Sequence, residues 1–176
     1  MILTIRLQDV LRDAIQRPVR DLVTRPTGAA IRFRIQQAMD ATPHPTARLD
    51  FGDVGLLDFS CADEVVAKLL RATADDRYLV LWDLDASQAD AVDVVLERQD
   101  LAVVAVLREG GPVLLGAVSQ ECRTAFTAVL EGGGDSDRLA ARLAWTPERA
   151  ANALQTLALR RLVVAAHGTF SPLPLQ

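Results

Sequence analysis

The chain is short of the residues that carry most enzyme chemistry and most structural staples. Its 176 residues include two cysteines, two histidines and an aromatic fraction of 5%. Cys61 and Cys122 are far apart and form no CxxC spacing, so neither a disulfide framework nor a cysteine metal site is expected. His44 lies in a proline-flanked loop and His167 near the C-terminus. Neither belongs to a Ser or Cys nucleophile motif, so no triad is assembled. The absence of a P-loop and of GxGxxG removes the common nucleotide signatures, and no cofactor or metal is expected. No uninterrupted apolar run approaches the ~18 residues needed to cross a bilayer. Arg6, Asp9, Arg12 and Asp13 within the first turns argue against a signal peptide. These absences together lead to the expectation of a reduced, cytoplasmic, soluble protein.

What is present is an ordinary globular composition. Half of the residues are apolar and 24% are charged. With so few aromatics, the core must be built from Leu, Val and Ala. The length suits one domain with a good core or two small ones. The net charge of −4 is unevenly spread. From Asp135 onward five arginines face three acids, giving +2, which leaves −6 for residues 1–134. That asymmetry has the sign expected if only the tail meets phosphate.

Periodicity predicts alternating strands and helices. Met1 to Leu7 is β-rich, and a short helix follows from Asp9 to Gln16. A helix capped by Thr27 runs to about Asp40, with Ala30, Ile31, Ile35, Ala38 and Met39 as its buried stripe. Ala47 to Phe51 is a strand, Ala62 to Ala72 a helix, and Tyr78 to Trp82 an apolar run of the kind covered on both faces. A helix from Ser87 to Gln99, a strand from Leu101 to Leu107, a hairpin partner from Val113 to Val118 and a helix from Gln120 to Leu130 complete this part. The fold class is therefore α/β, a sheet with helices packed on it. Glu131-Gly132-Gly133-Gly134 reads as a linker. The expected division is an α/β domain at 1–130, a Gly-rich linker at 131–134 and a small domain at 135–176.

The stretch from Arg48 to Ser60, Arg-Leu-Asp-Phe-Gly-Asp-Val-Gly-Leu-Leu-Asp-Phe-Ser, resembles the phosphorylation segment of STAS domains, the fold of bacterial anti-sigma factor antagonists. The resemblance extends over roughly residues 1–107, in the order of the elements, and Ala62-Asp63-Glu64 is more similar to the divergent STAS-like group. It implies a STAS-like sheet, a regulatory protein as partner such as an anti-sigma factor or kinase-like ATPase, and a switch at the mouth of a helix. The family's usual phosphoacceptor position holds Phe59, and the following glycine is Cys61. The hydroxyl remains as Ser60, so Asp58, Ser60 and Asp63 are the partner or phosphoswitch candidates. A helix N-terminus favours a phosphate there, while Asp63 and Glu64 disfavour it. Ser60 with Asp63 is also a capping pair, and that reading is preferred.

The tail has its own pattern. Asp135 or Ser136 caps a helix from Asp137 to Ala144; Thr146 caps a second, with Pro147 at its first position. A small hairpin follows between Leu162 and Ser171. Helix, short turn, helix and hairpin form a winged helix-turn-helix pattern. The second helix resembles the recognition helix of winged-helix transcription regulators, with Arg149, Asn152, Gln155 and Thr156 of the types that read base edges. Arg160, Arg161 and a wing carrying His167 would meet the backbone of double-stranded DNA. A homodimer would double that surface.

The expectation is a non-enzymatic bacterial regulator, with a STAS-like input and a winged-helix output acting on protein or DNA. One alternative is a DNA-binding transcription factor whose N-terminal domain only dimerises or senses a ligand. The other is an enzyme using Cys61 or the carboxylates Asp58, Asp63 and Glu64.

Overall fold

The computed structural model describes residues 1–175 and divides into two compact units, one of residues 1–117 with Leu175, the other of residues 118–174. The first unit is built on a five-stranded sheet: β1 (Ile2–Arg6), β2 (Thr46–Asp50), β3 (Tyr78–Leu84), β4 (Ala102–Leu107) and β5 (Pro112–Gly116). The strands lie in sequence order. β1 to β4 are parallel and β5 returns antiparallel to β4, the hairpin partner expected from Val113.

The crossovers carry α1 (Leu7–Ile15), α2 (Arg25–Asp40), α3 and α4 (Ala86–Arg98). α3 is one continuous helix of three segments, Phe59–Ala62, a π-helical stretch Asp63–Lys68, and Leu69–Ala72. When each new parallel strand is laid beside the last, right-handed crossovers put every helix on the same face. Alternation along the strands agrees. Ile5, Leu49, Leu81 and Ala105 share the main core with Leu11, Ile31, Ile35, Val65, Val66 and Leu96 of the helices. The other face carries Arg48, whose guanidinium lies 4.7 Å from the Trp82 ring centre and donates to the Leu175 carbonyl at 3.1 Å.

Several expected boundaries shift. α2 begins at Arg25 with Pro26 in its first turn and Thr24 as its N-cap residue, rather than at Thr27. Ala30 of the expected stripe is exposed, and the buried positions are Gly28, Ile31, Ile35 and Met39. Gly28 is where α2 meets α3. A methyl group placed there would sit 2.9 Å from Glu64 Cβ and 3.1 Å from Cys61 Cα, so only glycine admits this approach.

The second unit contains α5 (Gln120–Gly132), α6 (Ser136–Leu143), α7 (Pro147–Leu159) and the hairpin β6 (Val164–Ala166) and β7 (Thr169–Ser171). Its division from the first unit falls after Ala117, not at 131–134, and this corrects the expected domain boundary. α5 packs against α6 and α7 in this unit, and Phe126, Val129, Leu139, Leu154 and Leu157 are all buried. The glycines expected to form a linker instead end α5 and admit the hairpin. Gly133 has φ 57°, and a Cβ on it would lie 2.8 Å from the Phe170 carbonyl. Gly134 and Phe170 exchange two backbone hydrogen bonds of 3.0 and 2.9 Å. The caps follow expectation, with Asp135 accepting from the Arg138 amide at 2.8 Å and Thr146 from the Arg149 amide at 3.2 Å.

Gly28→Ala tests the α2–α3 approach. Alanine gains about 0.5–1 kcal/mol in helix propensity, but overpacking costs about 1–3 kcal/mol. A lower urea midpoint is expected, and an unchanged or higher one would show that the helices can separate freely.

Candidate functional site

The loop from Phe51 to Asp58 leaves the carboxyl end of β2 and delivers the chain to α3. It is tied down along its length. The Leu22 and Asp58 amides donate to Leu56 and Leu22 carbonyls at 2.8 and 3.0 Å, forming a parallel bridge between Leu22 and Leu57. The Gly55 amide donates to the Arg20 carbonyl at 2.8 Å, and the Leu56 amide to Asp21 Oδ1 at 2.8 Å. From the other side, the buried Gln88 amide group donates to the carbonyls of Val54 and Gly55 at 2.9 and 3.0 Å. Gln88 is itself fixed by a capping box with Asp85 at the start of α4.

At the helix mouth the N-cap is Asp58, where the sequence pattern suggested Ser60. Asp58 Oδ1 accepts from the Cys61 amide at 2.7 Å and from Ser60 Oγ at 2.8 Å. Its Oδ2 accepts from the Thr24 amide at 2.9 Å. One carboxylate therefore caps α3 and holds the chain entering α2. Partial burial works against its charge, but the amides of Cys61 and Thr24 and the Ser60 hydroxyl outweigh this and keep its pKa below the usual carboxylate range. Ser60 is half-buried and oriented by Asp58.

Cys61 is fully buried, and its Sγ donates to the Thr24 carbonyl at 3.0 Å. Burial first, and the Asp58 charge second, push its pKa up to about 12. It is a neutral thiol at physiological pH and offers no thiolate for nucleophilic attack.

Asp63 and Glu64 do not join Asp58 in an acid/base pair; they face a set of cations. Arg25 Nη1 reaches Asp63 Oδ2 at 2.6 Å and Glu64 Oε1 at 3.0 Å. Arg32 Nε reaches Glu64 Oε2 at 3.2 Å, and Lys68, the only lysine of the chain, pairs with Glu64 Oε1. Gln99 donates to Asp63 Oδ1 at 2.7 Å. Glu64 is 2% exposed. Burial opposes its ionisation, yet the hydrogen bonds from Lys68, Arg25 and Arg32 hold its pKa below the ordinary glutamate range. Asp63 is lowered in the same way, against burial, by Arg25 and Gln99. The cluster joins α2 to the π-helical stretch of α3. Arg25, Arg32, Lys68 and Gln99 were missed by sequence reasoning because three of them lie more than thirty residues from their partners. The legible signal was a lone glutamate in an apolar helix with a lysine four residues on.

Three apolar side chains surround this mouth and stay in solvent. Leu56 is 65% exposed, Phe59 60% and Val23 37%. Beside them a cleft of about 350 Å³ runs between α3 and α4, with Leu57, Phe59, Ala91 and Val94 as its apolar walls and Asp58 and Asp90 among its lining. Among the described residues, no group of three His, Cys, Asp or Glu is arranged to hold a metal ion.

In the second unit Arg149 is not directed outward alone. Its Nε pairs with Glu121, and its guanidinium lies 4.3 Å from the Trp145 ring centre. Asn152, Gln155 and Thr156 are exposed on α7, and Thr156 Oγ1 donates to the Asn152 carbonyl at 2.9 Å. Arg160 and Arg161 are half-buried at the end of α7. His167 has φ 51° and with Gly168 forms the two-residue turn of the β6–β7 hairpin. The structure thus places Arg149, Asn152, Gln155 and Thr156 on one exposed helix face, with His167 on a separate turn.

The folded-state pKa values of Asp58, Asp63 and Glu64 all lie below their ordinary values, so the stability that they contribute is present at neutral pH. It is lost as pH falls through about 4 and below, where the unfolded chain takes up protons first. Thermal melts from pH 7 to pH 3 should show this decline. Glu64→Gln should flatten it and cost about 1–2 kcal/mol at pH 7. That is less than for a fully buried pair, because Arg25 and Lys68 remain in contact with water. An unchanged acid slope in Glu64→Gln would contradict the assignment.

No family model, no curated protein and no solved structure matches this chain.

Proposed function

We propose that the protein is a non-enzymatic regulator of the STAS-like kind joined to a winged helix-turn-helix, which receives a partner protein at the mouth of α3. The observation that carries this reading is the character of that mouth. Its carboxylate is occupied by three internal donors, its thiol is neutral and buried, and its outermost groups are Val23, Leu56 and Phe59. Such a surface is suited to recognition rather than bond-making. The second unit supports the reading by its order of three helices and a hairpin, with the Gly134–Phe170 pairing as a one-residue third strand.

Ser60 is the point at which the contact would be controlled. A phosphate on its Oγ would place two negative charges against Asp58, now 2.8 Å away, and remove a donor from the cap. The expected effect is loosening of the first turn of α3 and loss of the partner. A photo-crosslinking residue at position 59 in the native host should trap a regulatory protein identifiable by mass spectrometry. The same residue at position 33, an equally exposed aromatic site on α2, should trap none. Ser60→Asp should abolish the adduct. No adduct at 59, or equal adducts at 59 and 33, would remove the proposal.

A second reading, DNA binding by the second unit, is favoured by exposed Asn152, Gln155 and Thr156 on α7. The unit has six arginines against five acids, and Arg149 is already paired with Glu121, so any affinity should be weak and strongly salt-dependent. Fluorescence anisotropy with duplex DNA at low salt decides it. Binding lost in the Asn152→Ala, Gln155→Ala double variant supports this reading, and binding indifferent to those changes excludes specific readout by α7.

A further inference from the structure

We propose that the cleft between the start of α3 and α4, with the apolar side chains projecting beside it, seats a basic amphipathic segment of the partner protein. The inference rests on the reading of the α3 mouth as a partner surface and adds the chemistry of what binds there.

The first observation is clustering. Among the described residues six large apolar side chains are exposed, and Val23, Leu56 and Phe59 border one mouth while Met1, Phe33 and Leu159 lie elsewhere. The arrangement follows from the Leu22–Leu57 bridge. Both bridged residues point inward and are buried, so alternation turns Val23 and Leu56 outward. Scattered exposed apolars are normal, whereas a group of them beside an apolar cleft marks an interaction site.

The second observation is charge. The cleft is lined by two aspartates, Asp58 and Asp90, and by no basic side chain. Asp58 is held ionised by its donors, and Asp21 accepts from the amide of Leu56, one of the projecting apolar residues. The whole first unit has eighteen acids against thirteen bases within residues 1–117. An acidic segment or an anionic lipid surface would be repelled, while arginines or lysines flanking an apolar anchor would be attracted.

The third observation is preparation. Leu56 and Phe59 stand on a loop and helix end whose backbone is bonded to residues 20–24 and to Gln88. Apolar groups on a fixed platform bind without a large ordering cost. An amphipathic helix laying its apolar face in this cleft, with cations toward Asp58 and Asp90, satisfies all three observations.

The test uses the full chain and two fluorescein-labelled 18-residue helical peptides with the same leucine face, one with arginine and lysine on its polar face, the other with glutamate. By anisotropy the cationic peptide should bind at least tenfold more tightly, and that preference should shrink as salt is raised. Phe59→Ser should weaken binding about tenfold, the loss typical of an aromatic anchor. Asp90→Asn should weaken it less and reduce the salt dependence. Phe33→Ser should leave it unchanged, and thermal midpoints should verify that each variant is folded. Equal binding of both peptides, or indifference to Phe59→Ser, overturns the inference. A dimer in sedimentation that Phe59→Ser dissolves would assign the patch to a second copy and also overturns it. The two readings fail separately. A host adduct at position 59 with no peptide binding removes the basic-segment chemistry alone. Phe59-dependent peptide binding with no host adduct removes the regulatory reading alone.

Discussion

The carboxylate of Asp58 joins three parts of the first unit. One oxygen caps α3 through the Cys61 amide and orients the Ser60 hydroxyl; the other accepts from the Thr24 amide at the entry to α2. Charged acceptors at a helix N-terminus are among the stronger local contacts, because they meet unpaired amides and the positive end of the helix dipole. The consequence here is positional. The 22–24 segment and the start of α3 cannot move independently, so Val23, Leu56 and Phe59 hold fixed places around one ionised group.

A second set of charges carries the same rigidity further into the fold. Glu64 is buried beside the close approach of α2 to α3 that Gly28 makes sterically possible. A buried carboxylate is costly unless it is paired and hydrogen-bonded, and Arg25, Arg32 and Lys68 supply the partners from two helices. The π-helical stretch from Asp63 to Lys68 lies in this region. Insertions of this kind are frequent at functional sites, and here the feature sits one turn beyond the proposed partner surface.

The order of strands and helices was legible from sequence pattern, since β3, β4 and β5 are short apolar runs, β1 and β2 are short β-rich or alternating stretches, and the crossover helices show buried stripes. The Thr146 cap was legible for the same local reason, a short polar side chain before a helical pattern, and the other cap was narrowed to Asp135 or Ser136, of which the structure uses Asp135. What was not legible depends on tertiary neighbours. Ser60 and Asp58 are both plausible N-caps in sequence, and the Thr24 amide, supplied from a distant segment, accompanies the choice of Asp58. The three consecutive glycines looked like a linker because composition cannot distinguish freedom from crowding. Their place is set by the close approach of Phe170. The assignment of α5 was equally hidden, because its buried face would suit either unit until its packing against α6 and α7 is known.

The central claim is that the mouth of α3 is a preformed recognition surface organised by Asp58. Native-state hydrogen exchange of the full chain measures this directly at the amides of Leu22, Thr24, Leu56, Asp58 and Cys61. The account predicts that these five amides exchange only through openings nearly as rare as those of β2 and β3. In Asp58→Ala, which removes both acceptor oxygens, Thr24 and Cys61 should lose protection while the sheet retains it. Rapid exchange at these amides in the unaltered chain would contradict the claim, because the apolar groups would then stand on a mobile loop.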